Sequence, residues 1–312
     1  MRIVKPRALQ RGDVIGICAP ASPPDSEEQL HRGISYLEKL GYRVEMGNNV
    51  HRRRGYLAGT DEQRAADVNA LFAKKSVKAI FTVRGGYGAH RILPFLNYNL
   101  IKHNPKILVG YSDITALQMA IFRKSGLITF SGPMVASEMA GGLRGTAEEE
   151  FWQCLTSTLP PGPLQCKTDP HFATGRRKTS EGRLIGGNLS LVASLSGTPY
   201  LPDPKGSILL LEEIDERPYR IDRTLQQLRH AGVLEKVKGV VFGKFIGCTA
   251  EAGKSSLTLH QVIGDTFKEM SYPLLSGLRY GHLTNSFTIP IGIRVRLHAA
   301  SKKLEFLEAG VS

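Results

Sequence analysis

The chain has 312 residues, 41% of them hydrophobic and 22% charged, which excludes wholesale disorder and is enough for two ordinary domains or one large one. Its formal charge of +13 is spread along the sequence. Only His51-Arg52-Arg53-Arg54 and Arg176-Arg177-Lys178 are dense, and neither is interleaved with aromatics, which argues against nucleic acid and for mild attraction of small anions.

The opening Met1-Arg-Ile-Val-Lys-Pro-Arg7 lacks a signal pattern, and no apolar run reaches membrane-spanning length, so a cytoplasmic protein without a membrane partner is expected. Val14–Ala19 reads as a buried strand, Ser26–Leu40 as a helix ended by Gly41, and Tyr42–Met46 as a strand. Thr60–Lys74 reads as a helix with Asp61 and Glu62 in its first turn. Lys78–Val83 and Lys106–Gly110 are predicted strands, each followed by a glycine-containing turn and a helical pattern. This alternation predicts a parallel, doubly wound sheet with any site at the carboxyl ends of its strands.

From about Ala140 the character changes, with Gly141-Gly142, Pro160-Pro161-Gly162-Pro163 and the basic stretch near Arg176. Residues 146–181 are therefore expected to cross between an N-terminal domain, 1–145, and a C-terminal domain, 182–312. In the latter, Gly182–Leu189 leads into a helix and Ser207–Leu211 is a strand. A helix around Arg220–Ala231, a strand Val237–Phe245 and a helix near Leu259–Met270 follow. Thr288–Leu297 and Lys303–Leu307 make a β-rich ending. The predicted class is α/β: a doubly wound parallel-sheet domain plus a smaller, β-rich α/β domain.

Several places carry candidate chemistry. Ser112, in Gly110-Tyr111-Ser112-Asp113, stands where an apolar strand turns into a helix, which pushes a hydroxyl out beside helix-start amides. Ile114 replaces the second glycine of a Gly-x-Ser-x-Gly elbow, so a turn followed by an N-cap is the plainer alternative. The turn Val83-Arg84-Gly85-Gly86-Tyr87-Gly88 ends the preceding strand, so its glycine amides are candidates to face Ser112 and hold an oxyanion. Arg91 stands where a dinucleotide motif needs its third glycine.

Glu212 and Glu213 end the strand after Leu209-Leu210-Leu211 and point to opposite faces, so either is a candidate to orient an imidazole. Among the histidines, His282 occupies a glycine-rich loop, Gly281-His282-Leu283. No metal-ligand spacing is found. Cys18, Cys154, Cys166 and Cys248 form no Cys-x-x-Cys pair and read as buried thiols of a reducing compartment rather than zinc ligands or a disulfide framework. Gly247-Cys-Thr-Ala-Glu-Ala-Gly253-Lys254-Ser255 imitates a P-loop but has one residue too many between its glycines, leaving a nucleotide-binding or NTPase domain as the alternative of another class.

Taken together, Gly12–Ser22, Arg84–Gly88, Gly110–Asp113, Gly186-Gly187-Asn188, Leu211-Glu212 with Pro218–Asp222, and Gly281-His282 resemble the LD-carboxypeptidase family of serine peptidases. That family includes muramoyltetrapeptide carboxypeptidases and microcin C7 self-immunity peptidases. The resemblance implies a Ser–Glu–His triad of Ser112, Glu212 and His282, and selects Glu212 over Glu213. It also implies an oxyanion hole from the amides of Gly85 or Gly86 and Asp113, no metal or other cofactor, and a homodimer. The expected reaction is release of terminal D-alanine from a murein tetrapeptide. Arg84 is a candidate to bind the substrate's terminal carboxylate. The alternative substrate is a peptidyl-nucleotide antibiotic, for which the lone Trp152 is the expected stacking surface.

Overall fold

A computed structural model describes residues 2–167 and 178–312. Arg176 and Arg177 of the second basic stretch lie outside the described residues, as does part of the expected crossing. In chain order the elements begin β1 (Val14–Cys18), α1 (Glu27–Lys39), β2 (Arg43–Met46), α2 (Asp61–Ala73), β3 (Val77–Thr82), α3 (Ala89–Ile92) and α4 (Tyr98–His103). They continue with β4 (Ile107–Val109), α5 (Ile114–Ser125), β5 (Thr129–Ser131), α6 (Gly145–Thr156), β6 (Leu164–Gln165), β7 (Thr179–Asn188) and α7 (Leu189–Ser194). The remainder is β8 (Ile208–Ile214), α8 (Pro218–His230), β9 (Gly239–Ile246), α9 (Leu259–Phe267), β10 (Leu274–Leu275), β11 (Ile289–Ile291), β12 (Arg294–His298) and β13 (Lys303–Phe306).

The chain forms two compact units. One comprises Met1–Pro160, Phe287–Gly292 and Ala309–Ser312; the other comprises Pro161–Ser286 and Ile293–Glu308. Thus α6, inside the expected crossing, belongs to the first unit, and two short segments of the expected C-terminal domain return there.

In the first unit the sheet order is β11-β5-β4-β3-β1-β2, with β2, β1, β3, β4 and β5 parallel and β11 antiparallel to β5. β1 and β4 are buried along their whole length, the pattern of parallel strands covered on both faces. Helix starts are chemically marked: the Ser26 side chain accepts from the Gln29 amide, and Thr60 and Gln63 close a reciprocal capping box on α2. Strand order reverses between β1 and β3, the kind of switch point where open α/β sheets bind ligands.

The second unit's sheet runs β10-β9-β8-β7-β12-β13-β6. β10, β9, β8 and β7 are parallel, and β12, β13 and β6 continue antiparallel from β7. This unit is α/β with a β-rich flank.

The predicted β-rich run Thr288–Leu297 is interrupted. Gly292 has φ +98°, and a Cβ there would lie 2.3 Å from the Phe122 ring. The break separates β11, in the first unit, from β12, in the second. Pro290 is tolerated because β11 is an edge strand. Among the described residues, no helix is long and apolar enough to cross a membrane.

Candidate active site

One cluster of candidate residues is built at the carboxyl ends of β1, β3 and β4. Ser112 has φ +61°, a left-handed backbone that a non-glycine residue rarely adopts. Asp113 follows as N-cap of α5 with φ −56°, so the nucleophile candidate sits on a sharp strand-to-helix corner. The turn after β3 lies against it. A Cβ on Gly85 would come within 3.0 Å of Ser112 Cβ, 3.2 Å of its Oγ and 3.4 Å of the Asp113 amide nitrogen. Glycine at 85 is what allows the backbone this close. The neighbouring Gly86 has φ +91°, and a Cβ there would strike Ser22 Oγ at 2.2 Å.

Side chains that the sequence reading did not single out hold this turn. Ser22 Oγ accepts from the Tyr87 amide at 3.0 Å and donates to the Tyr56 carbonyl at 2.7 Å, while the Ser22 amide donates to the Gly85 carbonyl at 3.2 Å. The Asp113 carboxylate accepts from the Ala89 amide at 2.7 Å. Arg64 is buried and donates to the Gly88 carbonyl at 2.8 Å and the Pro20 carbonyl at 2.5 Å. Burial pushes the Asp113 carboxyl up to about 6, against the opposing pull of the Ala89 hydrogen bond and of nearby Arg64 and His90. The helix from Thr60 was legible; the arginine one turn into it and aimed at the glycine turn was not.

Arg84 forms an ion pair with Asp25. The guanidinium expected to await a carboxylate is thus already engaged by one, across a sequence separation that no local pattern reveals. Trp152 also departs from expectation. It packs in the first unit, stacked on Tyr42 at 5.0 Å, edge-on to Phe151 at 4.8 Å, and donating to Tyr36 Oη at 2.9 Å. Its ring is an anchor of α6 rather than an open stacking surface.

A separate cluster, in the second unit, lies on β8 and on the loop before Ser286. Glu212 and Glu213 are both buried, 1% and 3% exposed, on opposite faces of the strand. The β8–β9 register shifts between Leu211 and Glu213, an irregularity of the kind that re-aims side chains. Glu212 Oε2 lies 2.8 Å from His282 Nδ1. A carboxylate only accepts, so the proton sits on Nδ1 and leaves Nε2 able to take another. Gly281 makes this approach possible: it has φ +122°, and a Cβ there would be 2.9 Å from Glu212 Oε2.

Glu213 serves a different purpose. It accepts from Asn188 Nδ2 at 2.7 Å, the Ser190 amide at 2.9 Å and Ser190 Oγ at 2.6 Å, clamping the β7–α7 corner. The P-loop imitation also resolves into other roles. After β9 the chain forms a loop through Leu257, and α9 begins only at Leu259, capped by Thr258. Lys254 and Ser255 therefore precede the helix instead of forming its first turn, and Lys254 pairs with Glu251 at 2.8 Å. This loop and the start of α8 line a cavity of about 500 Å³ that includes Arg217, Tyr219, Arg220 and Leu257. All four cysteines are buried and unpaired, with burial raising each thiol, Cys248 to about 11.

A two-unit α/β protein with a serine corner beside glycine amides and a buried glutamate–histidine pair has the makings of a peptidase. Residues 15–132 match the profile of the LD-carboxypeptidase N-terminal domain, and residues 181–297 match that of the C-terminal domain, so the chain belongs to the LD-carboxypeptidase family. It is 38% identical over 309 residues to a probable murein peptide carboxypeptidase of Bacillus subtilis, covering 99% of this chain and 95% of that one. A murein tetrapeptide carboxypeptidase of Pseudomonas aeruginosa is 31% identical, covering 89% of this chain and 91% of its own. Among solved structures, muramoyltetrapeptide carboxypeptidase from Oxalobacter formigenes superposes with a TM-score of 0.83 at 31% identity, covering 93% and 97%. MccF in complex with glutamyl sulfamoyl guanosine gives 0.86 at 26% identity, covering 99% of each chain.

Proposed function

We propose that this chain is a serine-type carboxypeptidase that hydrolyses the L,D bond of murein tetrapeptides and releases terminal D-alanine, acting in cytoplasmic peptidoglycan recycling as a homodimer. The observation that carries the reading is the left-handed Ser112 corner with Gly85 packed against it. The paired Glu212 and His282 and the murein-peptide names of the relatives support it.

In the proposed reaction His282 Nε2 removes the Ser112 proton as Oγ attacks the carbonyl carbon. Glu212 holds the ring and stabilises the imidazolium. The amides of Gly85 or Gly86 and of Asp113 receive the tetrahedral oxygen. Collapse breaks the C–N bond, His282 returns the proton to the departing D-alanine nitrogen, and water attacks the acyl-enzyme by the same route. Neither a metal nor another cofactor is needed for these steps.

Purified protein incubated with murein tetrapeptide is expected to release D-alanine and the tripeptide in equal amounts. Folded protein that leaves the tetrapeptide intact would overturn the proposal. The MccF likeness motivates a second substrate, an aminoacyl-nucleotide conjugate, run in parallel. Trp152 does not support that choice, since its ring is occupied by Tyr42 and Phe151.

A further inference from the structure

The glycine turn is held in place from three sides: Ser22 holds Gly85 and Tyr87, Arg64 holds Gly88, and Asp113 holds Ala89. The last contact differs in kind, because Asp113 is covalently attached to Ser112. Its amide nitrogen lies 3.4 Å from where a Cβ on Gly85 would stand, while its carboxylate reaches Ala89 at the end of the turn that supplies the other candidate donors.

We propose that the Asp113 carboxylate is a positioning residue that locks the Gly85–Gly88 turn to the nucleophile corner, so that the serine and its oxyanion donors move as one rigid frame. This rests on the function proposed above. A charged acceptor makes the stronger hydrogen bond to the Ala89 amide, and a neutral one leaves that bond roughly half as strong. The side chain is 5% exposed, so water does not replace what is lost. The charged or titratable groups facing it are Arg64 from α2 and His90 from α3, with Asp61 acting on Arg64 at 2.5 Å. Oxyanion stabilisation depends on donor position to a fraction of an ångström, so a slackened frame reduces turnover without weakening substrate binding.

The variant Asp113→Asn retains size and an acceptor oxygen while removing the charge. Its kcat is expected to fall about 10- to 100-fold above pH 7, with KM within about twofold. The rate at which a fluorophosphonate labels Ser112 is expected to fall in parallel. The wild-type-to-variant ratio is expected to shrink toward one as pH drops through about 6, because both proteins then carry a neutral side chain at 113. A pH-independent ratio, or a variant equal to wild type throughout, overturns the inference.

A second measurement needs no variant. In wild-type protein labelled with ¹⁵N-alanine, the Ala89 amide proton is expected to shift upfield with a midpoint near pH 6, and an amide that does not titrate overturns the inference. If wild type fails to turn over murein peptide, the functional proposal falls, while the Ala89 titration still decides whether the tether is charged.

Discussion

Ser112 holds a backbone conformation that costs a non-glycine residue on the order of 1–3 kcal/mol, and alanine would bear that cost as fully as serine does. Glycine would not. Ser112→Ala and Ser112→Gly should both lower the proposed D-alanine release by at least about 10³-fold, yet the glycine variant should melt higher than the alanine variant by a few degrees. Calorimetry on the two inactive proteins checks this, and equal melting temperatures would mean that the corner is unstrained. Asp113 bears a related cost. Its folded pKa of about 6 lies above the ordinary 3.8, so the folded state binds the proton more tightly. Stability from this group therefore declines as pH rises from about 4 to about 6 and is flat above that, a loss of roughly 3 kcal/mol before any relaxation. Asp113→Asn should melt no lower than wild type at pH 7, and the gap between them should narrow toward pH 4. A variant that slows turnover while preserving stability separates positioning from folding.

Strand β8 places two carboxylates in succession, and each has its own work. Glu212 meets an imidazole and Glu213 satisfies three donors at the β7–α7 corner. Glu212→Gln should keep the fold and lose turnover by about 10³- to 10⁴-fold, since the imidazolium loses its ionised partner. Glu213→Ala should instead lower stability by about 2–4 kcal/mol by leaving buried donors without an acceptor, as chemical denaturation would record. The alternation of a strand shows that neighbours face apart but not which face holds the histidine. That information resides in contacts 70 residues distant, Glu212 to His282, and sequence reached it only through the family resemblance. Elements with strong local signals were legible: α2 from Thr60 with Asp61 and Glu62 in its first turn, and β3 and β4 from their apolar runs. What was not legible depended on distant partners. Arg84 meets Asp25, Trp152 meets Tyr42, and Ser22 meets Tyr87, none within one turn of chain. The same holds for the break at Gly292, whose cause is the ring of Phe122.

At the scale of the whole molecule, the chain returns to its first unit after building most of its second. β11 covers the edge of β5, with Ile289 opposite Ser131 and Ile291 opposite Thr129. The last residues also return, with the Ala8 amide donating to the Ser312 carbonyl at 3.0 Å and the Ser312 amide to the Pro6 carbonyl at 2.9 Å. A fragment of residues 1–160 therefore contains Ser112 and the glycine turn but leaves β5 as an open edge with unpaired backbone groups. Expressed alone, it should aggregate or remain molten, judged by dye binding and near-ultraviolet dichroism. A monomeric fragment with a cooperative melt would show that the returning segments are dispensable.

Because β11 is sequentially remote from the sheet it completes, the two halves of this polypeptide are not interchangeable cassettes. A chimaera joined once, near residue 160, would pair the sheet that carries Ser112 from one parent with a sheet edge from the other, so mismatched side chains would meet along β5. Recombination that keeps the whole first unit from one parent needs four junctions, after residues 160, 286, 292 and 308.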